Sequence, residues 1–450
     1  MVVRSLRRPV VRALGAGAAG LLAVLLVPSG TSAAAGGAPR WRVTAPAEGA
    51  AAATAVPRAD TSGLAVSYLQ NAVHDGHSVH GVAAPPLRRQ WARRFEGPVS
   101  YALVAEGLVF VVVPMKPVET QTGTLLGARV HALDAHTGKV RWRSGRLGSD
   151  FSAEAGITYG DGRIYAAEPD GGLVAYAART GRRLWQRSLP GGSSGGSTGL
   201  PVYAGGRVYV TAPWEEGDGA IYAVDARTGR VAWYGEPIGP GPGGPAAVTA
   251  TGIFLGSACG ATGIRPDGRL LWLHEGLQGC GGGNGPTSVA AAGRLWLRPR
   301  QWIEDSKPVP CSGSSEVLDL RTGKYVAGFG TACGTPAPAF SGSTGFFVDE
   351  AGTLSARPVT RPTAVTWRFA ADRKLTVGPL VVDGVVWVGS STGRLWAVDA
   401  RTGRRLWSTD VGAGMDRVRD DESSRPPVAL AAGQGHLIVP AGSLLVSYGR

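Results

Sequence analysis

Sulfur is scarce in this sequence: 450 residues hold four cysteines and three methionines. Cys259, Cys280, Cys311 and Cys333 stand too far apart for the C-x2–4-C pairs of a structural zinc site, and no C-x-x-C-H haem motif occurs. In an exported chain they are expected to form disulfides. Three pairings are open, of which the sequence-local one, Cys259–Cys280 with Cys311–Cys333, is preferred. Acidic residues are also few, 33 against 46 Lys and Arg, which gives a formal charge of +13. No long apolar run occurs beyond Val27, so the body of the chain offers no membrane helix.

The single apolar run, ALGAGAAGLLAVLLV (Ala13–Val27), follows a basic start and precedes the small-residue exit PSGTSAAA. It is short and interrupted by glycine, and reads as a secretory signal peptide over residues 1–35. Loss of Arg4, Arg7, Arg8 and Arg12 with it leaves a charge of about +9, which suits loose attraction to an anionic polymer. Arginines spread through the repeat turns rather than gathered in one run nevertheless favour a simply soluble, Arg-rich surface. The first cysteine is Cys259, so none follows the run to carry a lipid. The expected location is therefore extracellular or cell-wall associated. Residues 36–63 are Ala/Pro-rich with few large apolar side chains and are expected to form a disordered tail. Residues 64–87, with Tyr68, Asn71 and three histidines, are expected to form an ordered lead-in strap.

Glycine is abundant, 69 residues, and so is repetition. AVDARTGRVAW (Ala223–Trp233) returns as AVDARTGRRLW (Ala397–Trp407), with looser copies at Ala132–Trp142 and Ala175–Trp185. The alternation of apolar and polar letters describes a strand with one buried face. Asp opens a tight turn by accepting backbone N–H groups, and Gly closes it where φ is positive. A Trp follows four residues after Gly138, Gly181, Gly229, Gly268 and Gly403, at Trp142, Trp185, Trp233, Trp272 and Trp407. Around Gly323 the turn survives but Ala327 takes the Trp slot, which leaves Tyr325 or Phe329 to fill the space; around Trp367 the indole survives without the glycine.

A second signal repeats independently: a short apolar strand after a Gly-containing turn, beginning at Gly107, Gly162, Gly206, Gly252, Gly293, Gly345, Gly384 and Gly435. The last of these eight has no Trp strand after it, while RRQWARRF (Arg88–Phe95) stands ahead of the first with Trp91 unused. Repeats at this spacing predict radially stacked sheets. The expected fold is all-β, a single eight-bladed β-propeller of four-stranded antiparallel blades over residues 88–450, closed by the N-terminal strand completing the last blade. Each indole is expected to fill the seam between neighbouring blades.

The pattern A-x-D-x-x-T-G-[KR]-x-x-W resembles the tryptophan-docking repeat of the PQQ-type (quinoprotein-like) β-propellers. YLQNAVHDGH (Tyr68–His77) is similar to the Y-x-x-N-x-x-H-x-G lead-in of such proteins. The resemblance implies one of two functions. In quinoprotein dehydrogenases a propeller face holds pyrroloquinoline quinone (PQQ) and Ca2+ beside a carboxylate base. In non-catalytic relatives, such as the outer-membrane β-barrel-assembly lipoprotein, the same fold is a binding scaffold. This chain has no adjacent Cys–Cys pair of the dehydrogenase kind and little room for large active-site insertions.

The remaining motifs carry no chemistry of their own. His74, His77 and His80 with Asp75 have the residue types of a zinc or copper site, but Gly76 interrupts a helical spacing and His74 falls in the lead-in, so no metal is expected. RDDES (Arg419–Ser423) lacks the ladder of an EF-hand calcium loop, GCGGGNG (Gly279–Gly285) fits no phosphate loop, and no nucleophile elbow occurs. The expected function is a secreted, monomeric, non-enzymatic scaffold without a cofactor. It binds a protein or an anionic cell-envelope polymer, with no specific nucleic-acid partner. The alternative is a PQQ-dependent oxidoreductase using Ca2+.

Overall fold

An antiparallel sheet with one buried face needs another layer against it, and a chain of like sheets supplies that layer to itself. The computed structural model describes residues 41–44, 55–56, 61–120, 123–125, 127–148, 155–169, 171–191, 198–214, 219–236, 238, 243–257, 260–275, 285–299, 302–304, 307–309, 315–332, 334–415 and 427–450. All of them belong to one unit, Arg40–Arg450. The described residues contain no helix, and their strands form the eight four-stranded antiparallel blades of a β-propeller.

From blade 1 to blade 8 the inner strands are Leu103–Ala105, Gly156–Gly160, Val202–Ala204, Ala247–Val248, Val289–Ala291, Ala339–Ser341, Leu380–Val382 and Ala431–Gly433. The outer strands of blades 1–7 are Val140–Arg143, Arg183–Ser188, Val231–Glu236, Leu270–Glu275, Tyr325–Gly328, Trp367–Phe369 and Arg405–Asp410. Blade 8 takes its outer strand from the other end of the chain: Arg88–Arg94 pairs antiparallel with Leu444–Gly449, with Trp91 opposite Ser447. Two blades gain a fifth strand. Arg42–Thr44 lies outside blade 3, and His77–Ser78 runs parallel to the inner strand of blade 7. Within the segment expected to form a disordered tail, Arg42–Thr44 is a strand, because blade 3 offers an open ladder edge that these residues pair with.

The indoles hold the blades to one another. Trp91 Nε1 donates to the carbonyl of Ala135 at 2.7 Å, Trp142 to Ala178 at 2.8 Å, Trp185 to Ala226 at 3.1 Å and Trp233 to Pro266 at 3.1 Å. Trp272 and Trp367 do the same to Leu320 at 2.9 Å and Ala400 at 3.2 Å. Every acceptor lies in the outer hairpin turn of the following blade. The turn glycines lie over these rings with φ between 66° and 91°. A Cβ on Gly138, Gly181, Gly229, Gly268, Gly323 or Gly403 would come within 2.5–2.8 Å of the preceding blade's indole. Glycine is thus required twice over, by backbone conformation and by close approach.

The rest of the repeat follows from this contact. Asp134 Oδ1 accepts both the backbone N–H and the hydroxyl of Thr137 at 2.8 Å, and Asp225, Asp319 and Asp399 bind Thr228, Thr322 and Thr402 in the same way. Hydrogen bonds from Arg141 and Thr137 hold the Asp134 carboxyl down at about 2. The leading Ala of the repeat pairs across from the Trp, as Ala132 with Trp142 and Ala397 with Trp407, beside a register shift that turns the strand. Where Ala327 replaces the Trp, the facing residue is the larger Val317.

That blade fills its seam differently. Phe329 is fully buried and packs edge-on against Trp296, whereas Tyr325 is 56% exposed. The indole's hydrogen bond is replaced by Arg294, whose Nη1 donates to the carbonyl of Val359 in blade 6. At the equivalent place in blade 3, Arg207 reinforces Trp233 by donating to Pro266 at 2.9 Å. Trp407 faces the blade where the chain ends cross, which has no such turn, and packs edge-on against Trp387 and Tyr448. The four cysteines and Arg419–Ser423 lie outside the described residues.

Removal of Trp233, which is 3% exposed, leaves a cavity and an unpaired carbonyl at the seam of blades 3 and 4. Trp233→Ala is expected to cost about 3–5 kcal/mol in denaturant unfolding, and an unchanged midpoint would contradict the seam assignment.

Candidate functional site

A propeller's inner strands leave one ladder edge facing the axis, and those N–H groups need partners. The lead-in strap supplies them. Backbone N–H groups of Val104, Tyr159, Val248, Ala290, Phe340 and Val381 donate to the carbonyls of Ala65, Val66, Ala72, Val73, Asp75 and Gly76 at 2.7–2.9 Å. Blade 8 is met by a side chain: Gln70 Oε1 accepts from Ala432 N–H at 3.0 Å, and Gln70 Nε2 donates to the Ala432 carbonyl at 2.6 Å. In blade 3, Tyr203 N–H donates to the Thr158 hydroxyl, which donates in turn to the Val66 carbonyl. One segment near the N-terminus therefore ties all eight inner strands together.

Its sequence explains its course. A chain that circles an axis in so few residues must bend sharply, and φ is positive at Leu69, Gln70, His74 and Gly76. The Asn71 amide donates to Asp75 Oδ1 at 2.7 Å and to the His77 carbonyl at 3.0 Å, while Asp75 Oδ1 also accepts from His77 N–H at 3.0 Å. Gly76 has no room for a side chain: a Cβ there would lie 2.8 Å from the Ala339 methyl.

The three histidines do not converge. His74 is fully buried, with Nδ1 3.0 Å from the Ser288 carbonyl, so Nδ1 carries the proton and Nε2 has no hydrogen-bond partner. Burial pushes its pKa down to about 4. His77 lines a cavity, and His80 is exposed, 4.0 Å from Asp383. Among the described residues no group of three His, Cys, Asp or Glu side chains is arranged to hold a metal ion.

Between the strap and the inner turns of blades 2–6 lies a cavity of about 1010 Å³. The strap contributes Asn71, Asp75 and His77 to its wall, and the blades contribute Tyr159, Asp161, Tyr203 and Thr249. The lining includes two carboxylates and no Lys or Arg, although the chain as a whole is strongly basic. The Tyr159 hydroxyl is engaged by Glu106 Oε1 at 2.7 Å, and that carboxylate also accepts from Arg179 at 2.5 Å. These contacts, the Tyr159 hydroxyl foremost, hold Glu106 below the usual carboxylate range. Burial and the nearby Asp161 carboxylate push the Tyr203 hydroxyl up. The wall thus presents acceptors and neutral donors. The lining offers no Lys or Arg to pair with PQQ, an anionic quinone carrying several carboxylates. The residues that build this site, Gln70 above all, carry no sequence motif beyond the lead-in itself.

The comparisons with known proteins agree on architecture and divide on activity. The family model described as "Outer membrane protein assembly factor BamB" matches residues 126–295 and 300–446. The crystal structure of BamB from Moraxella catarrhalis aligns with a TM-score of 0.51 at 16% identity, covering 81% of this chain and 98% of that one. The quinohemoprotein alcohol dehydrogenase of Comamonas testosteroni aligns with a TM-score of 0.60 at 15% identity, covering 86% and 80%. A 1-butanol dehydrogenase (cytochrome c) of Thauera butanivorans is 29% identical over 94 residues, 19% of this chain. That match spans 12% of the dehydrogenase. Identities this low carry the fold alone.

Two outcomes test the strap. Gln70→Leu keeps the bulk but strands the Ala432 amide and carbonyl, and is expected to cost about 1–3 kcal/mol, with faster hydrogen exchange in the inner strand of blade 8. His74 is neutral when folded, so the unfolded state binds the extra proton. Stability is then expected to fall as pH drops from about 6.5 towards 4, by on the order of 3 kcal/mol. His74→Asn, measured by urea unfolding across that range, is expected to flatten the profile.

Proposed function

The chain belongs to the PQQ_2 propeller family described by the outer membrane protein assembly factor BamB, and from that premise we propose that it is a non-enzymatic binding scaffold of the cell envelope or exterior. It acts as a monomer and presents its loops and edges to a protein or an anionic envelope polymer. The observation that carries this reading is the filled axis. The strap spends its polar groups on the inner strands, and the cavity beside it holds carboxylates and engaged tyrosines. Such a wall carries no Lys or Arg to neutralise a quinone's carboxylates. The high positive charge supports an anionic or acidic partner.

A second reading, a PQQ-dependent oxidoreductase using Ca2+, draws on the partial match to the 1-butanol dehydrogenase and the likeness to the quinohemoprotein fold. Purified protein incubated with pyrroloquinoline quinone and Ca2+, then desalted, separates the two. The scaffold reading expects no retained quinone absorbance and no dye reduction with alcohols. Retained absorbance together with alcohol-dependent dye reduction would establish the oxidoreductase instead.

A further inference from the structure

We propose that the outer edge of blade 3 is a strand-binding site, occupied in cis by the chain's own Trp41–Thr44 and open in trans to an extended segment of a partner protein that carries an aromatic residue. Arg42, Val43 and Thr44 pair antiparallel with Glu236, Gly235 and Tyr234. The side chains of these three residues are exposed, so the pairing itself buries little of them. The anchor is Trp41. Its ring lies against Gly235, where a Cβ would come within 2.2 Å of it, and its Nε1 donates to the Gly268 carbonyl of blade 4 at 3.2 Å.

Blade 3 is the edge shaped for this. Two positions after the docking Trp, the other blades carry Arg93, Ser144, Arg187, His274, Phe369 and Thr409, whereas blade 3 carries Gly235. A side chain at that place would occupy the volume of the added indole. The turn of blade 4 thereby receives two indoles, Trp233 at the Pro266 carbonyl and Trp41 at the Gly268 carbonyl. Trp41 also packs against the apolar cluster that contains Trp233. A receptor made of a free ladder edge, a flat glycine floor and a turn carbonyl recognises main chain plus one aromatic, which is the logic of strand addition. A three-residue ladder with a single anchor is exchangeable, and a tethered copy competes with an incoming strand through its high local concentration. This site is independent of the axial cavity and holds whether or not the propeller carries a cofactor.

The test uses full-length protein and a fluorescent peptide of residues 39–46, PRWRVTAP. Fluorescence anisotropy is expected to show saturable binding to Trp41→Ala, with affinity for the parent at least about tenfold weaker because the cis strand competes. The same peptide with its Trp replaced by Ala is expected not to bind. Gly235→Leu, whose Cβ has the Trp41 ring as its nearest neighbour in the parent, is expected to abolish binding in the Trp41→Ala background without altering the circular dichroism spectrum or melting temperature of that background. No binding to Trp41→Ala, or binding unchanged by Gly235→Leu, overturns the proposal. Dimers of the parent that disappear with Gly235→Leu would identify a second copy as the occupant and overturn the assignment to a foreign segment.

Discussion

Everything in this ring depends on one contact, an indole lying beneath the glycine of the next blade's turn. The contact has two parts of different physical kind. Burial of the ring is non-directional and supplies most of the free energy. The hydrogen bond from Nε1 to the turn carbonyl is directional and fixes which carbonyl, and so which rotation between blades, is satisfied. The repeat letters are consequences of that contact. Gly admits the ring, Asp and Thr stiffen the turn that offers the carbonyl, and the facing Ala gives the ring room on its own blade. Where the Trp is missing in blade 5, the requirement remains and is met by Phe329 for volume and Arg294 for the hydrogen bond.

This explains why the architecture was legible in the sequence. A contact that recurs at every seam writes the same letters at every seam, and the eight strands after the Gly turns count the blades independently. Closure was legible for the same reason: Trp91 lacked a blade and the last sheet lacked a Trp. The outer tail was not. Arg42–Thr44 has no repeat to belong to, and its pairing depends on Gly235, a residue whose meaning lies in the absence of a side chain facing a segment almost two hundred positions earlier.

The axial site was legible only in part. The lead-in motif marked residues 64–87 as ordered, and the structure gives Asn71, Asp75 and Gly76 their local roles in bending the strap. What no local pattern reveals is that successive carbonyls of this segment meet successive blades, because backbone acceptors have no sequence signature. Gln70 is the instructive case. It stands in the lead-in as an unremarked amide, yet it serves as two backbone groups for blade 8. The cavity's acidic lining is equally hidden, since Asp75 and Asp161 come from distant segments and are diluted by a basic composition. Family membership rests on the match across residues 126–295 and 300–446, and the docking repeat is silent on what the axis holds.

The strap carries a kinetic corollary. It is synthesised before seven of the blades it joins and most of the eighth, yet its partners extend to Ala432 in blade 8. Individual blades are local hairpins and can assemble as they emerge, but the axle cannot be seated until the eighth blade exists. Contacts of such long sequence separation set slow assembly. During that interval the inner edges stand unpaired, and unpaired edges are open to mispairing between neighbouring molecules.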